Sequence, residues 1–324
     1  MPDLSTIDLY PTSGPRVLPH PANSAVAATA ISARGEAIRL FVRTNSAAQL
    51  SARTEEPGWA SFPKTQTDSP YSATVYVSNE HSDNETPIEG LTATFPKVQS
   101  FPDGSILIAA TRCQRFKDGS CERNASAYDS RGNLQRSFVL GDGVEDVQVD
   151  RKGKVWVSYF DEGIFGNFGW GRGAAPLGAS GLTCFDENGK SLWQFQPPSG
   201  FDSICDCYAL NVAKNSVWVQ YYAEFPLVRI DANYQVRGWR SDTGGSHALG
   251  IQDRRVLLFG NFSGHPCSCK LLELHKDSAK SVARVRLMLP EHVDPSAAKV
   301  IGRDNEIHVV FGDEWYVFSM WSLP

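Results

Sequence analysis

The chain is short of the features that mark most functional classes. No apolar run approaches the roughly 18 residues of a membrane-spanning helix, so a helical anchor is excluded. Basic residues are not in excess: 31 Lys plus Arg face 36 Asp plus Glu, for a net charge of -5. That leaves no basic stripe for nucleic acid, and neither nucleic acid nor membrane is expected as a partner. The first residues, Met1 to Ser5, have no basic n-region and no apolar h-region, which predicts no signal peptide and a cytoplasmic protein. Seven cysteines is an odd number, read as mostly reduced thiols in that compartment. Three Asn-x-Ser/Thr matches, at Asn84, Asn124 and Asn261, carry no weight without secretion. Serine-hydrolase, Walker, H-E-x-x-H and Rossmann fingerprints are all missing. Gly244-Gly245-Ser246-His247 does not fit the G-x-S-x-G spacing. Helical periodicity is nearly absent.

What the chain does have is strand periodicity. Within residues 143–162, Val147, Val149, Val155 and Val157 alternate with Gln148, Asp150, Trp156 and Ser158. That is the two-residue period of a pleated ribbon. Arg151 to Lys154 supplies a glycine and solvated charges for a hairpin turn. With 324 residues, 41% of them hydrophobic, the chain can bury a large core.

The same hairpin recurs. Copies are expected at 25–43, 97–112, 143–162, 208–222, 247–260 and 298–311. Further strand pairs follow at 182–186 with 191–195, at 227–231 with 235–239, and at 271–274 with 282–287. Each repeat reads as a four-stranded meander, the unit of a β-propeller blade. The fold class is therefore all-β, a six-bladed β-propeller formed as one domain over residues 1–324. Seven blades is the alternative, with the extra blade hidden in 46–90 near Thr74 to Val77. The sixth copy has one further strand, at 315–320, and lacks its fourth. An N-terminal run, 7–10 or 16–18, is expected to close that last blade and cover its edge.

The D-x-x-G-like turns at Asp150 to Gly153 and at Pro102-Asp103-Gly104 resemble those of six-bladed propellers of the NHL and gluconolactonase-like kind. The chain is also similar to uncharacterised bacterial propeller-like proteins. The resemblance spans nearly all of the chain and is architectural. Family relatives of the gluconolactonase-like kind hold a divalent cation at the channel mouth, so the resemblance implies Ca²⁺ or Zn²⁺ as a candidate cofactor for a hydrolase or lactonase.

In a propeller, loops entering the first strand and leaving the second share one face. Glu145, Asp146, Asp161, Glu162, Asp206 and His247 fall in those loops and are the candidate ligand-binding residues. Phe168 and Trp170, in the Gly-rich segment 163–173, are expected to roof them, or to plug the loop from within. Gathered carboxylates repel unless a cation, an arginine such as Arg172 or a proton intervenes, and a cationic ligand or metal is the economical occupant. Cys205, Cys207, Cys267 and Cys269 form two C-x-C pairs that could hold Zn²⁺. The alternative for them is small buried hydrophobes. Three functions remain open: a module binding a protein or small-molecule ligand, a metal-dependent hydrolase or lactonase, and an oligomeric scaffold.

Overall fold

A computed structural model describes residues 4–54, 61–260 and 269–324. The chain divides into two compact units, residues 1–18 with 196–324, and residues 19–195. Strands β1 (Thr6–Leu9) and β2 (Arg16–Val17) open the chain and belong to the first of these.

The unit 19–195 holds three antiparallel four-stranded meanders. The first begins with β3 (Ser24–Ile31) and β4 (Ala37–Arg43). After a small ribbon of β5 (Arg53–Thr54) and β6 (Phe62–Pro63), it continues through β7 (Gln66–Ser78) and β8 (Asp83–Ala93). Thr74 to Val77 lie in β7, in register with β4, so this run completes the first sheet and founds no other. The second sheet is β9 (Pro96–Ser100), β10 (Ile106–Ala110), β11 (Ala125–Tyr128) and β12 (Leu134–Phe138). The third is β13 (Val144–Val149), β14 (Val155–Tyr159), β15 (Leu182–Phe185) and β16 (Ser191–Gln194).

One turn design connects the first two strands of each sheet. Gly35, Gly104 and Gly153 take φ of 82°, 88° and 83°, the left-handed region that costs glycine nothing. In each case the glycine N–H donates to the carbonyl three residues before it, as Gly153 does to Asp150. The Asp of D-x-x-G acts as a clamp: Asp150 Oδ1 accepts from the N–H of Lys152 and Lys154 at 2.8 and 3.0 Å. Asp129, Asp186 and Asp231 do the same in the turns between third and fourth strands. Where the sequence lacks a glycine, Asp304 itself takes φ 53°, as Asp tolerates.

The unit 1–18 with 196–324 carries β17 (Asp206–Val212), β18 (Ser216–Tyr222), β19 (Leu227–Asp231) and β20 (Val236–Ser241) as one meander. A second meander is β21 (Ala248–Gln252), β22 (Arg255–Phe259), β23 (Cys269–Leu274) and β24 (Ser278–Leu287). A short parallel pairing, Arg240 with Ser278 and Ser241 with Ala279, fuses the two, and β1 adds parallel to β24, making nine strands. The last sheet is β25 (Lys299–Arg303), β26 (Glu306–Phe311), β27 (Glu314–Ser319) and β2. Arg16 and Val17 stand opposite Trp315 and Glu314. Of the two N-terminal runs, 16–17 thus supplies a fourth strand to the last sheet. The run 6–9 joins β24, burying Leu9 and pairing Asp8 with Arg286 at 2.8 and 2.9 Å.

Both units are all-β, built of four-stranded sheets, two of them fused. Side chains between neighbouring sheets form the cores, one around Ile38, Leu40, Val75, Ile88 and Ile106, others around Leu249, Val256 and Leu272 and around Leu257, Val309 and Phe318.

Candidate functional site

The third sheet carries the most unusual side chains. Its first strand does not pair evenly. Val144 stands opposite Tyr159 and Asp146 opposite Ser158, leaving Glu145 bulged out and exposed. Matching register shifts leave out Ala27 in β3 and Tyr208 in β17. A bulge re-aims one side chain at the end of a strand, and such sites often carry function. Asp146 turns its carboxylate onto its own strand, accepting from the Val147 N–H at 2.8 Å and the Gln148 amide at 3.1 Å.

After β14 the chain makes one turn of helix, α1 (Asp161–Phe165), where the sequence suggests only a loop. Acidic Asp161 and Glu162 sit in its first turn, the favourable end for negative charge. The exposed Asp161 accepts from the Glu162 N–H at 2.7 Å. Glu162 turns inward to Arg112, which is 4% exposed and also pairs with the buried Asp142 at 2.8 Å. The guanidinium lies over the rings of Phe160 and Phe168, 5.3 and 4.5 Å from their centroids. Asp142 accepts from the Cys113 N–H at 2.9 Å as well.

Burial and polar partners compete for the charge of each carboxyl here. Burial pushes the Asp142 carboxyl up to about 6, against the pull of Arg112 and the Cys113 and Gly143 amides. Burial also acts on Glu162, but the Asn167 amide and Arg112 outweigh it and hold that carboxyl below its usual range. The buried Cys113 thiol is pushed up by desolvation, so it stays protonated and unreactive.

The Gly-rich segment is held down on this network. The Trp170 indole N–H donates to the Cys113 carbonyl at 2.8 Å, and Trp170 is 6% exposed. It plugs the loop from below rather than roofing it. The Phe168 carbonyl accepts from the Arg115 N–H at 2.8 Å and the Gln114 amide at 2.9 Å. Backbones meet too closely for side chains: a Cβ on Gly143, at φ 67°, would stand 2.3 Å from the Gly163 nitrogen. A Cβ on Gly169 would stand 2.1 Å from the Arg115 carbonyl oxygen. The product is a fixed loop that presents Phe165, 67% exposed, beside Asp161.

Glu145, Asp146, Asp161, Glu162, Phe168 and Trp170 therefore gather around one end of the β13–β14 hairpin, though only Glu145 and Asp161 are fully exposed. Asp206 and His247 belong to the other unit. Asp206 opens β17 opposite Tyr222 and is half-buried. His247 is exposed, its N–H donating to the Phe259 carbonyl, its ring against Gly260. Cys207 and Cys269 are each 1% exposed on strands, while Cys205 is half-buried with its N–H on the Tyr222 carbonyl. Cys267 lies outside the described residues. Among the described residues, no three His, Cys, Asp or Glu side chains are grouped to hold a metal ion. Nor is any helix among them long and apolar enough to cross a membrane.

The chain is thus an all-β protein of repeated four-stranded meanders. Residues 178–310 match the YxzG family. No curated protein matches the chain. Among solved structures, the chain is similar to a virginiamycin B lyase from Staphylococcus aureus, at 11% identity and a TM-score of 0.38, over 94% of this chain and 98% of that one. It is similar to a gluconolactonase from Xanthomonas campestris at 11% identity and a TM-score of 0.40, over 96% and 97%. The β-propeller domain of a trilobed protease from Pyrococcus furiosus gives 12% identity and a TM-score of 0.43, over 91% and 82%.

Proposed function

We propose that the chain is a single propeller of six blades, NHL-like in its repeats, that works as a cytoplasmic binding module. Supporting six blades, the six sequence copies each open a four-stranded meander, two of which are fused by the short β20–β24 pairing. On this reading β2 closes the ring as the outer strand of the last blade. Six free thiols among the described residues support a reducing compartment.

The working surface is the end of the third blade where Glu145, Asp161 and Phe165 face solvent. Asp206 and His247 belong to the other unit and are not part of this surface. Glu162, Phe168 and Trp170 position the loop, and Asp146 braces the strand. The observation that carries this reading is the fixed loop. An exposed aromatic ring costs little to bind with when its backbone is already held by Arg112, Gln114 and Cys113. Carboxylates beside it favour a cationic partner, such as a basic segment of a protein.

The test is a peptide array of Lys- and Arg-rich sequences and their charge-reversed counterparts, probed with the full chain. Basic peptides containing an aromatic or aliphatic anchor are expected to bind, and Phe165→Ser and Asp161→Asn to weaken them at least tenfold without shifting the melting temperature. Equal binding of acidic and basic peptides, or no effect of either substitution, would overturn the reading.

A further inference from the structure

A second site, independent of that rim, lies at the turn end of the β17–β24 region. Trp218, Arg229 and Arg237 stand side by side across three strands in direct register. They face the turns of the next meander, Asp253-Arg254 and His275-Lys276, across a cavity of about 330 Å³. That volume is at the lower end of the range for small-molecule pockets, roughly 300 to 1,000 Å³.

The lining is strongly cationic in a chain of net charge -5. Arg229, Arg237, Arg254 and Lys276 face a single carboxylate, Asp253. Asp253 makes no ion pair with any of them among the described residues, so the positive charge is not neutralised from within. Two of the arginines are held in place by backbone. Arg254 Nε and Nη2 donate to the Leu274 carbonyl at 3.0 and 2.7 Å. Arg237 donates to the Lys276 carbonyl at 3.0 Å and lies over the Trp239 ring at 4.6 Å. Trp239 in turn stacks on Trp218, centroids 5.5 Å apart, and donates its indole N–H to the His275 carbonyl.

Arg229 differs from these. Its Nε is sealed from solvent and has no hydrogen-bond partner. Among the described residues its guanidinium makes no hydrogen bond and no ion pair. A buried donor on a permanent cation is costly to leave unmade. Its terminal Nη groups are not sealed, and they are the donors that an acceptor-rich anion supplied from outside would meet.

We infer that this cavity binds a small molecule carrying a phosphate group, with Arg229 as the central donor. Arg237, Arg254 and Lys276 surround the anion. The planar guanidinium fork suits two oxygens of one phosphate. The aromatic faces are occupied by each other and by Arg237, so the rest of the ligand need not be a nucleobase. A cavity of this size admits a phosphorylated sugar or similar metabolite.

The test is isothermal titration calorimetry of the full chain at low salt with inorganic phosphate, glucose 6-phosphate and citrate. Saturable binding of glucose 6-phosphate is expected, with inorganic phosphate competing and affinity falling as salt rises. Arg229→Met should weaken it at least tenfold, Arg229→Lys less. Lys190→Met, a surface cation on the other unit, should leave it unchanged. Circular dichroism and melting temperature show whether each variant is folded, and Arg229→Lys serves should Arg229→Met misfold. No saturable binding at millimolar glucose 6-phosphate, equal weakening by Lys190→Met, or binding unchanged by both Arg229 variants would overturn the assignment. Citrate binding more tightly than either phosphate probe would overturn the phosphate class.

Discussion

Arg112→Met removes the cation that links Asp142 to α1. Asp142 would then be a buried carboxylate, 1% exposed, with only backbone donors left. Breaking a buried pair from one side costs about 3–5 kcal/mol, most of it the penalty on the charge left behind. The Glu162 half adds little, because that side chain is 40% exposed and keeps its bond from Asn167. For a unit the size of residues 19–195 this corresponds to a fall in melting temperature of about 6–20 °C. The deficit should depend on pH. Burial already holds the Asp142 carboxyl near 6, and losing Arg112 raises it further. At pH 5 the group is protonated in both proteins and the charge penalty vanishes; at pH 8 it is largest. Thermal melts at pH 5 and pH 8, with hydrogen exchange resolved over residues 140–170, measure both effects. A deficit below 1 kcal/mol at pH 8, or one equal at the two pH values, would refute the reasoning. Adding Asp142→Leu should recover part of the loss, less the cost of the Cys113 N–H left without its acceptor.

Asp142 also makes a prediction for the unaltered chain. Its folded-state value of about 6 lies above the unfolded 3.8, so it favours folding near pH 4 and that contribution is lost as pH rises through 6. The loss is at most about 3 kcal/mol, and comparing denaturant midpoints with Asp142→Asn between pH 4.5 and 7 should isolate it. Gly143→Ala should cost more than about 3 kcal/mol or prevent folding, since its Cβ would meet the Gly163 backbone, whereas Gly14→Ala, with open space around it, should stay within about 0.5 kcal/mol. Deleting residues 1–18 removes β1 and β2, exposes two sheet edges and uncovers the pocket of Leu9; a drop of several kcal/mol or insoluble expression is expected, measured by melting temperature. Trp170→Phe loses one buried hydrogen bond and should raise hydrogen exchange in 163–173 by an amount equivalent to about 1 kcal/mol, leaving the sheets unchanged.

The six hairpins are legible because strand alternation and turn chemistry are both local. Val147 to Val157 show the period, and Asp150 and Gly153 announce the turn. β11 is harder to see: Ala-Ser-Ala-Tyr offers little β-branched or aromatic signal, and its place is set by packing against β10. The bulge that exposes Glu145 depends on register with β14, which no single strand reveals. Arg112 and Asp142 are 30 residues apart, so no motif spacing could pair them. Trp170 sits in a Gly-rich loop, where an aromatic reads equally as a roof or a plug; the Cys113 carbonyl decides for the plug.

The most direct test of the central claim is a crystal structure of the full chain. Six four-stranded blades around one axis are predicted, with Arg16 and Val17 forming the outer strand of the last blade and Glu145, Asp161 and Phe165 exposed at one rim. Four or seven blades, or residues 1–18 unpaired from 314–319, would contradict it.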